Sequence, residues 1–203
     1  MPQLLHIDSS ADLASSRTRA LTAALGAAWR VRDGHTVVTR DLVRTPVPHI
    51  EAAAQHWPDA PGAREQASEG AWRIQEELLD ELLACDALVV GAPMYNYSMP
   101  SVLKAWVDHI HIPGVTAGSV RPLAGRPAVI VTASGMSYDA GSGREGWDHG
   151  TESLRIMLGE SLGMSVAVVV ASRTLAASEA ERALAEAEFD AARARCAELG
   201  ATL

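Results

Sequence analysis

The segment Ala87-Leu-Val-Val90 is a continuous apolar run, the pattern of a strand covered on both faces. The chain then breaks into Pro93-Met-Tyr-Asn-Tyr-Ser98. After Pro100 and Ser101 it resumes with apolar residues at 102, 103, 106, 107 and 110, which is helical spacing. A buried strand that leads through a short loop into a helix restricts the chain to folds built from β-α units, and the pattern recurs. Further apolar, β-branched runs cover Leu4–Ile7, Ala128–Thr132 and Val166–Val170, with a weaker one at Thr36–Thr39; the run at Ala87–Val90 extends to Met94. Helical patterns fill the gaps at Thr18–Trp29, Ala63–Leu83, Ser101–Ile110, Glu152–Leu162 and Ser178–Leu199. The last opens on Ser178-Glu-Ala-Glu181, a capping box. Five-fold β-α alternation implies a parallel sheet with helices on both faces. With no repeat, low-complexity tract or linker-like break, residues 1–203 are expected to form one domain. Two irregular segments, Val43–Gly62 and the Gly- and Pro-rich Pro113–Pro127, have the length of lids or interface elements.

A chain of 203 residues can bury a substantial core. Its net charge of −8 argues against a nucleic-acid surface and against a polybasic membrane patch. No segment approaches the ~18 apolar residues that span a bilayer, and the N-terminus has no basic region leading into a long apolar one, so no secretory signal is expected. Cys85 and Cys196 lie far apart without a CxxC pair and read as reduced, buried thiols. A cytoplasmic location is the expectation.

Chemistry in such a sheet gathers at the carboxyl ends of the strands. The first strand runs into Asp8-Ser-Ser10 and then Ser16-Arg17-Thr18. Hydroxyls and free amides at a helix start suit a phosphate, with Ser10, Ser16 and Thr18 as donors and Arg17 as an added charge; a plain helix cap at Ser15 or Ser16 is the other reading. GxGxxG and GxxxxGK[ST] are both absent, which leaves a cradle for one terminal phosphate, as in a mononucleotide. The third strand delivers Pro93, Met94, Tyr95, Asn96 and Tyr97, a set able to pack on a flat ring and hydrogen-bond its rim. The fourth delivers Ala133-Ser134-Gly135-Met136, where the glycine admits a ligand close to the backbone. His109 and His111 stand two apart on a helix and point to different faces, so no metal site is expected. No G-x-S-x-G elbow marks a hydrolase.

These loops, in this order, resemble the FMN-dependent NADH:quinone oxidoreductase and azoreductase family. The most specific piece is Ala92-Pro-Met-Tyr-Asn-Tyr-Ser-Met-Pro-Ser-Val-Leu-Lys-Ala-Trp-Val-Asp108, similar to the family's A-P-M-Y-N-F/W…P…L-K…D block. The resemblance implies a flavodoxin-like α/β three-layer sandwich with a five-stranded parallel sheet in the order 2-1-3-4-5. It implies FMN on Ser10 and Ser16–Thr18, Met94–Tyr97 and Ala133–Met136, with NADH or NADPH as co-substrate and a quinone or azo compound as acceptor. It also implies a homodimer with active sites at the interface. No side chain need act as a nucleophile, though Asn96 is placed to tune the flavin. The chain departs from the family at Ala117, after Gly114-Val-Thr116, where relatives often carry an aromatic, and Gly118–Arg126 looks short. A flavodoxin-like electron carrier or flavin-binding protein without a nicotinamide site is the alternative.

Overall fold

A computed structural model describes residues 1–203. Five strands, β1 (Gln3–Asp8), β2 (Thr36–Asp41), β3 (Ala87–Gly91), β4 (Pro127–Ala133) and β5 (Ser165–Ala171), form one sheet in the order β2-β1-β3-β4-β5. Every neighbouring pair is parallel. The helices are α1 (Arg17–Arg30), α2 (Glu69–Ala84), α3 (Ser101–Ile110), α4 (His149–Arg155) and α5 (Glu179–Thr202).

The alternation of side chains along β1 divides the core. Leu4 faces α1 and α5 with Leu21, Leu25, Trp29, Cys196 and Leu199. Leu5 and Ile7 face the other layer, with Leu78, Leu82, Leu103, Trp106, Ile110 and Leu158. β3 is buried throughout, as its unbroken apolar run requires. Although β3 formally ends at Gly91, Ala92 N–H donates to Val131 O and Met94 N–H to Ala133 O, both at 2.8 Å. The expected extension to Met94 is therefore present as ladder bonds.

Two helices depart from their patterns. The run at Ala63–Leu83 begins as a helix only at Glu69, because Ser68 Oγ accepts the Ala71 N–H at 3.1 Å and caps it there; Arg64–Gln66 is a separate 3-10 turn. The helix expected at Glu152–Leu162 starts earlier, at His149, and widens into a π turn over Ile156–Ser161, with Leu162 N–H reaching Met157 O. The capping box at Ser178 and Glu181 forms. The irregular Val43–Gly62 segment is moored by Gln55, fully buried, which accepts the Gln75 amide on its carbonyl at 2.9 Å, and by His109, whose Nε2 donates to Pro48 O at 2.9 Å. No helix is long and apolar enough to cross a membrane.

Candidate functional site

The loop after β1 is built by short polar side chains. Ser9 Oγ donates to Gly91 O at 2.6 Å and ties the ends of β1 and β3 together. The Asp12 carboxylate accepts from Ser15 N–H at 2.9 Å, Ser15 Oγ at 2.7 Å and Ala14 N–H at 3.0 Å. These bonds, Ser15 N–H first among them, hold its carboxyl below the usual carboxylate range. Ser16 caps α1 by accepting the Arg19 N–H at 3.3 Å, and its hydroxyl also meets Thr18 Oγ1 at 2.9 Å. The cap and phosphate-donor readings of Ser16 thus describe one position: the same hydroxyl that caps also lines the cleft.

Arg17 lines the cleft, but its charge is engaged elsewhere. Its guanidinium turns to α5, donating to Ala185 O at 2.7 Å and Glu186 at 2.5 Å, and lies over the Phe189 ring at 5.0 Å. An ion pair and an aromatic face on another helix hold this charge more firmly than an open loop does. The arginine that shapes the loop is Arg19. Its Nε and Nη2 both donate to Ser10 O, at 3.1 and 2.8 Å, while the fork grips Asp41 at 2.7 and 2.9 Å. Asp8, one strand inward, stands 3.6 Å from Arg19 and accepts Thr22 Oγ1 at 2.9 Å. Arg19 is also the main cause of an Asp41 carboxyl held down at about 2. With its carbonyl fixed inward by Arg19, Ser10 keeps the loop in one conformation.

The second loop is a hairpin turn. Tyr95 and Ser98 exchange backbone hydrogen bonds at 2.8 and 3.1 Å, and the two residues between them, Asn96 and Tyr97, have φ of 51° and 67°. Both central residues in the left-handed region define a type I′ turn, which glycine and asparagine enter readily and tyrosine does not. The turn is clamped from two sides. Tyr95 Oη accepts the Ala11 N–H at 3.0 Å, joining it to the first loop. His149 N–H donates to Tyr97 O at 3.0 Å, and Gly150 lies so close that a Cβ there would meet Met99 N and Ser98 C at 2.7 Å. Tyr97 stands edge-on to Trp147 with ring centroids 5.9 Å apart.

In the third loop, Ala133 and Gly135 reach the cleft. Ser134 turns inward, donating to Met136 O at 2.7 Å, so its hydroxyl serves the loop. Met136 is half-exposed and borders a neighbouring cavity of ≈ 690 Å³. Leu175 lies against Gly135, where a Cβ would stand 2.7 Å from its Cδ1.

The three loops enclose a cleft of ≈ 340 Å³ lined by Ser10, Ser16, Arg17, Thr18, Pro93, Met94, Tyr95, Ala133 and Gly135, together with Asp12, Ser15 and Thr174. Asn96 and Tyr97 line neighbouring recesses and not this cleft. The sequence reading did not single out Asp12, Arg19, Asp41 or Thr174; the first shows only as an Asx signal four residues before a helix cap, and the others act across the fold. Hydroxyl donors and the opening amides of a 14-residue helix suit a terminal phosphate at one end. The donor set therefore fits a ligand with a phosphate tail and a flat ring. His109 Nε2 is bound to Pro48 O and His111 Nε2 to Ser161 Oγ at 2.6 Å, so the two imidazoles diverge. Burial pushes the thiols of Cys85 and Cys196 up to about 11, away from nucleophilic use.

Residues 2–195 match the flavodoxin-like fold family. A Kineococcus radiotolerans protein named FMN-dependent NADH:quinone oxidoreductase is 55% identical over 212 aligned positions that cover 100% of both chains. A Streptomyces coelicolor protein of the same name is 40% identical, over 87% of this chain and 81% of its own. Among solved structures, an azoreductase from Bacillus anthracis superposes with a TM-score of 0.83 at 19% identity over 100% of both chains. An FMN-dependent NADH-azoreductase from the same species, solved with FMN, superposes at 0.79 with 18% identity, covering 98% of this chain and 99% of its own.

Proposed function

Because the chain belongs to the flavodoxin-like fold family and, within it, to the FMN-dependent NADH:quinone oxidoreductases, we propose that the cleft described above is its FMN site and that residues 1–203 act as one FMN-binding domain. The observation that carries this reading is the Tyr95 hydroxyl on the Ala11 amide, which couples the phosphate end of the cleft to the loop expected at the ring. Ser10, Ser16, Thr18 and the first amides of α1 hold the phosphate. Pro93, Met94, Tyr95 and Tyr97 pack on the ring, Asn96 and main-chain amides meet its polar rim, and Ala133, Gly135 and Met136 cover its other side. Arg17 borders the phosphate end with its charge held on α5, and Ser134 supports its loop from behind.

Bound FMN would supply two-electron redox chemistry between NADH, released as NAD⁺, and a quinone that takes up two protons to become its hydroquinone. The protein would contribute placement, with Asn96 meeting the polar rim of the ring and the three loops holding it. An azo compound is the second acceptor class. The free, buried cysteines and the use of NADH support a cytoplasmic enzyme, and the resemblance supports a homodimer.

Reconstitution tests the assignment. Purified protein should take up one FMN per chain, oxidise NADH on addition of a quinone, and lose FMN affinity about tenfold or more when Ser16 and Thr18 are both changed to Ala. Flavin that binds but resists NADH would favour the electron carrier. Unchanged affinity in the double variant would remove the phosphate assignment.

A further inference from the structure

A second recess of ≈ 670 Å³ opens on the far side of Tyr95 from the phosphate cradle. Its walls come from four stretches of chain, one of them the turn that carries Tyr95, Asn96, Ser98 and Met99. Lys104 and Ser101 stand on α3, His149 and Ser153 on α4, and His49 on the Val43–Gly62 segment. No carboxylate lines it. Lys104 pairs with Asp108 one turn along α3, which leaves two of its three N–H donors for the recess. His49 is brought there by its neighbours: Val47 is buried in the core and Pro48 O receives the His109 imidazole. The lining is thus rich in donors of ammonium, imidazole and hydroxyl type.

Beside the recess lies an aromatic notch of ≈ 460 Å³ lined by Asn96, Tyr97, Trp147 and His149. Both rings of the notch are half-exposed, Tyr97 at 49% and Trp147 at 48%. Asn96 and His149 border both spaces. The two are also locked together, since the His149 amide holds Tyr97 O and Gly150 packs against Ser98 and Met99. A ligand seated on Trp147 is therefore held in register with the Asn96 turn.

We propose that these two adjoining spaces, which share Asn96 and His149, bind an anionic oxygen group tethered to a flat redox-active ring: the ring enters the notch against Trp147 and Tyr97, and the anion lies among Lys104, His149 and His49. The inference rests on the FMN reading above, because the notch has a redox role only if the ring of a flavin lies beside Asn96. Two sources carry this chemistry, an acceptor with an acidic substituent and the pyrophosphate of NADH. Charge-assisted hydrogen bonds recognise both.

Matched substrate pairs on the FMN-loaded enzyme decide it. One pair is a methylnaphthoquinone with a sulfonate on an alkyl arm against the same quinone with a hydroxyl there. The other is NADH against benzyl dihydronicotinamide, which keeps the reacting ring and lacks the pyrophosphate. Wild type should prefer the anionic member of at least one pair by tenfold or more in KM. The double variant Lys104→Gln, His149→Gln should erase that preference, and Lys104→Arg should retain it. The pair that responds identifies the source. Trp147→Ala should raise KM for both members of that pair about equally. A wild type that turns over without any anion preference, or a preference that survives the double variant, overturns the recess while leaving the FMN assignment standing. A wild type that takes up no FMN overturns the reading beneath it, and the recess with it.

Discussion

Tyr97 occupies a backbone region that suits glycine, and it does so at the position where the ring of the cofactor is expected. A non-glycine residue held there costs about 1–3 kcal/mol, and the clamp from His149 and Gly150 keeps it in place. Tyr97→Gly should therefore raise the melting temperature, by the equivalent of ~1 kcal/mol, and weaken acceptor binding by removing half of the notch. A lower melting temperature would show that the ring's packing outweighs the strain. Arg19 and Asp41 make a second residue-scale case. In the folded protein the Asp41 carboxyl titrates at about 2 instead of 3.8, first because of the Arg19 hydrogen bonds. The unfolded chain takes up that proton at higher pH, so the stability this pair contributes is complete above about pH 4 and is lost as pH falls toward 2. The contribution is ~2 kcal/mol. Acid titration of stability should show this loss in wild type and not in Asp41→Asn, whose FMN affinity should fall relative to its riboflavin affinity because Ser10 loses its anchor. Equal acid profiles would defeat the assignment. Local pattern made Ser10, Ser16, Tyr95 and Asn96 visible as candidates, since each stands at a strand end or helix start. Arg17 was visible in the same way, but its partners on α5 lie 168 and 169 positions away, and Arg19, two residues on, reaches back under Ser10 without any local sign.

At the scale of elements, periodicity was enough for the strands and for most helices, because burial on one or two faces writes itself into the sequence. It failed where main-chain geometry decides. Ser68 stops α2 from extending back over an apolar-looking run, and the π turn after α4 lets the chain pass from the Tyr97 clamp to the start of β5 in a way no side-chain period records. Close helix packing is another silent feature. Gly200 on α5 sits against α1 so tightly that a Cβ would meet Leu25 O at 2.2 Å and the Ala28 Cβ at 3.0 Å. A backbone oxygen cannot move aside as a flexible side chain would. Gly200→Ala should therefore separate the two helices and cost about 1–3 kcal/mol, read as a lower urea midpoint with an unchanged slope. An unaltered midpoint would mean that the last turns of α5 yield without loss. The capping box at the other end of α5 was legible beforehand, since its signature is four consecutive residues.

For the whole molecule, the strand order places the site. β1 lies between β2 and β3, and the connections from β1 and β3 depart to opposite faces of the sheet, which opens a crevice at their carboxyl ends. That crevice is walled on only some sides. Tyr97, Trp147 and Met136 are each more than 40% exposed around it, and apolar surface gathered at one edge marks a place where something else docks. A second copy of the chain is the occupant that the resemblance implies, and two-fold pairing is the commonest arrangement for it. Sedimentation at micromolar concentration should then give about twice the chain mass of 21.5 kDa. If the active sites lie at that interface, dilution below the dissociation constant should lower the specific activity in step with the dimer fraction, and added FMN should shift both curves together to lower protein concentration, because ligand that binds the paired form stabilises it. A monomer that keeps full NADH-quinone activity through the dilution series would overturn the paired site, and it would mean that each crevice is complete within one chain.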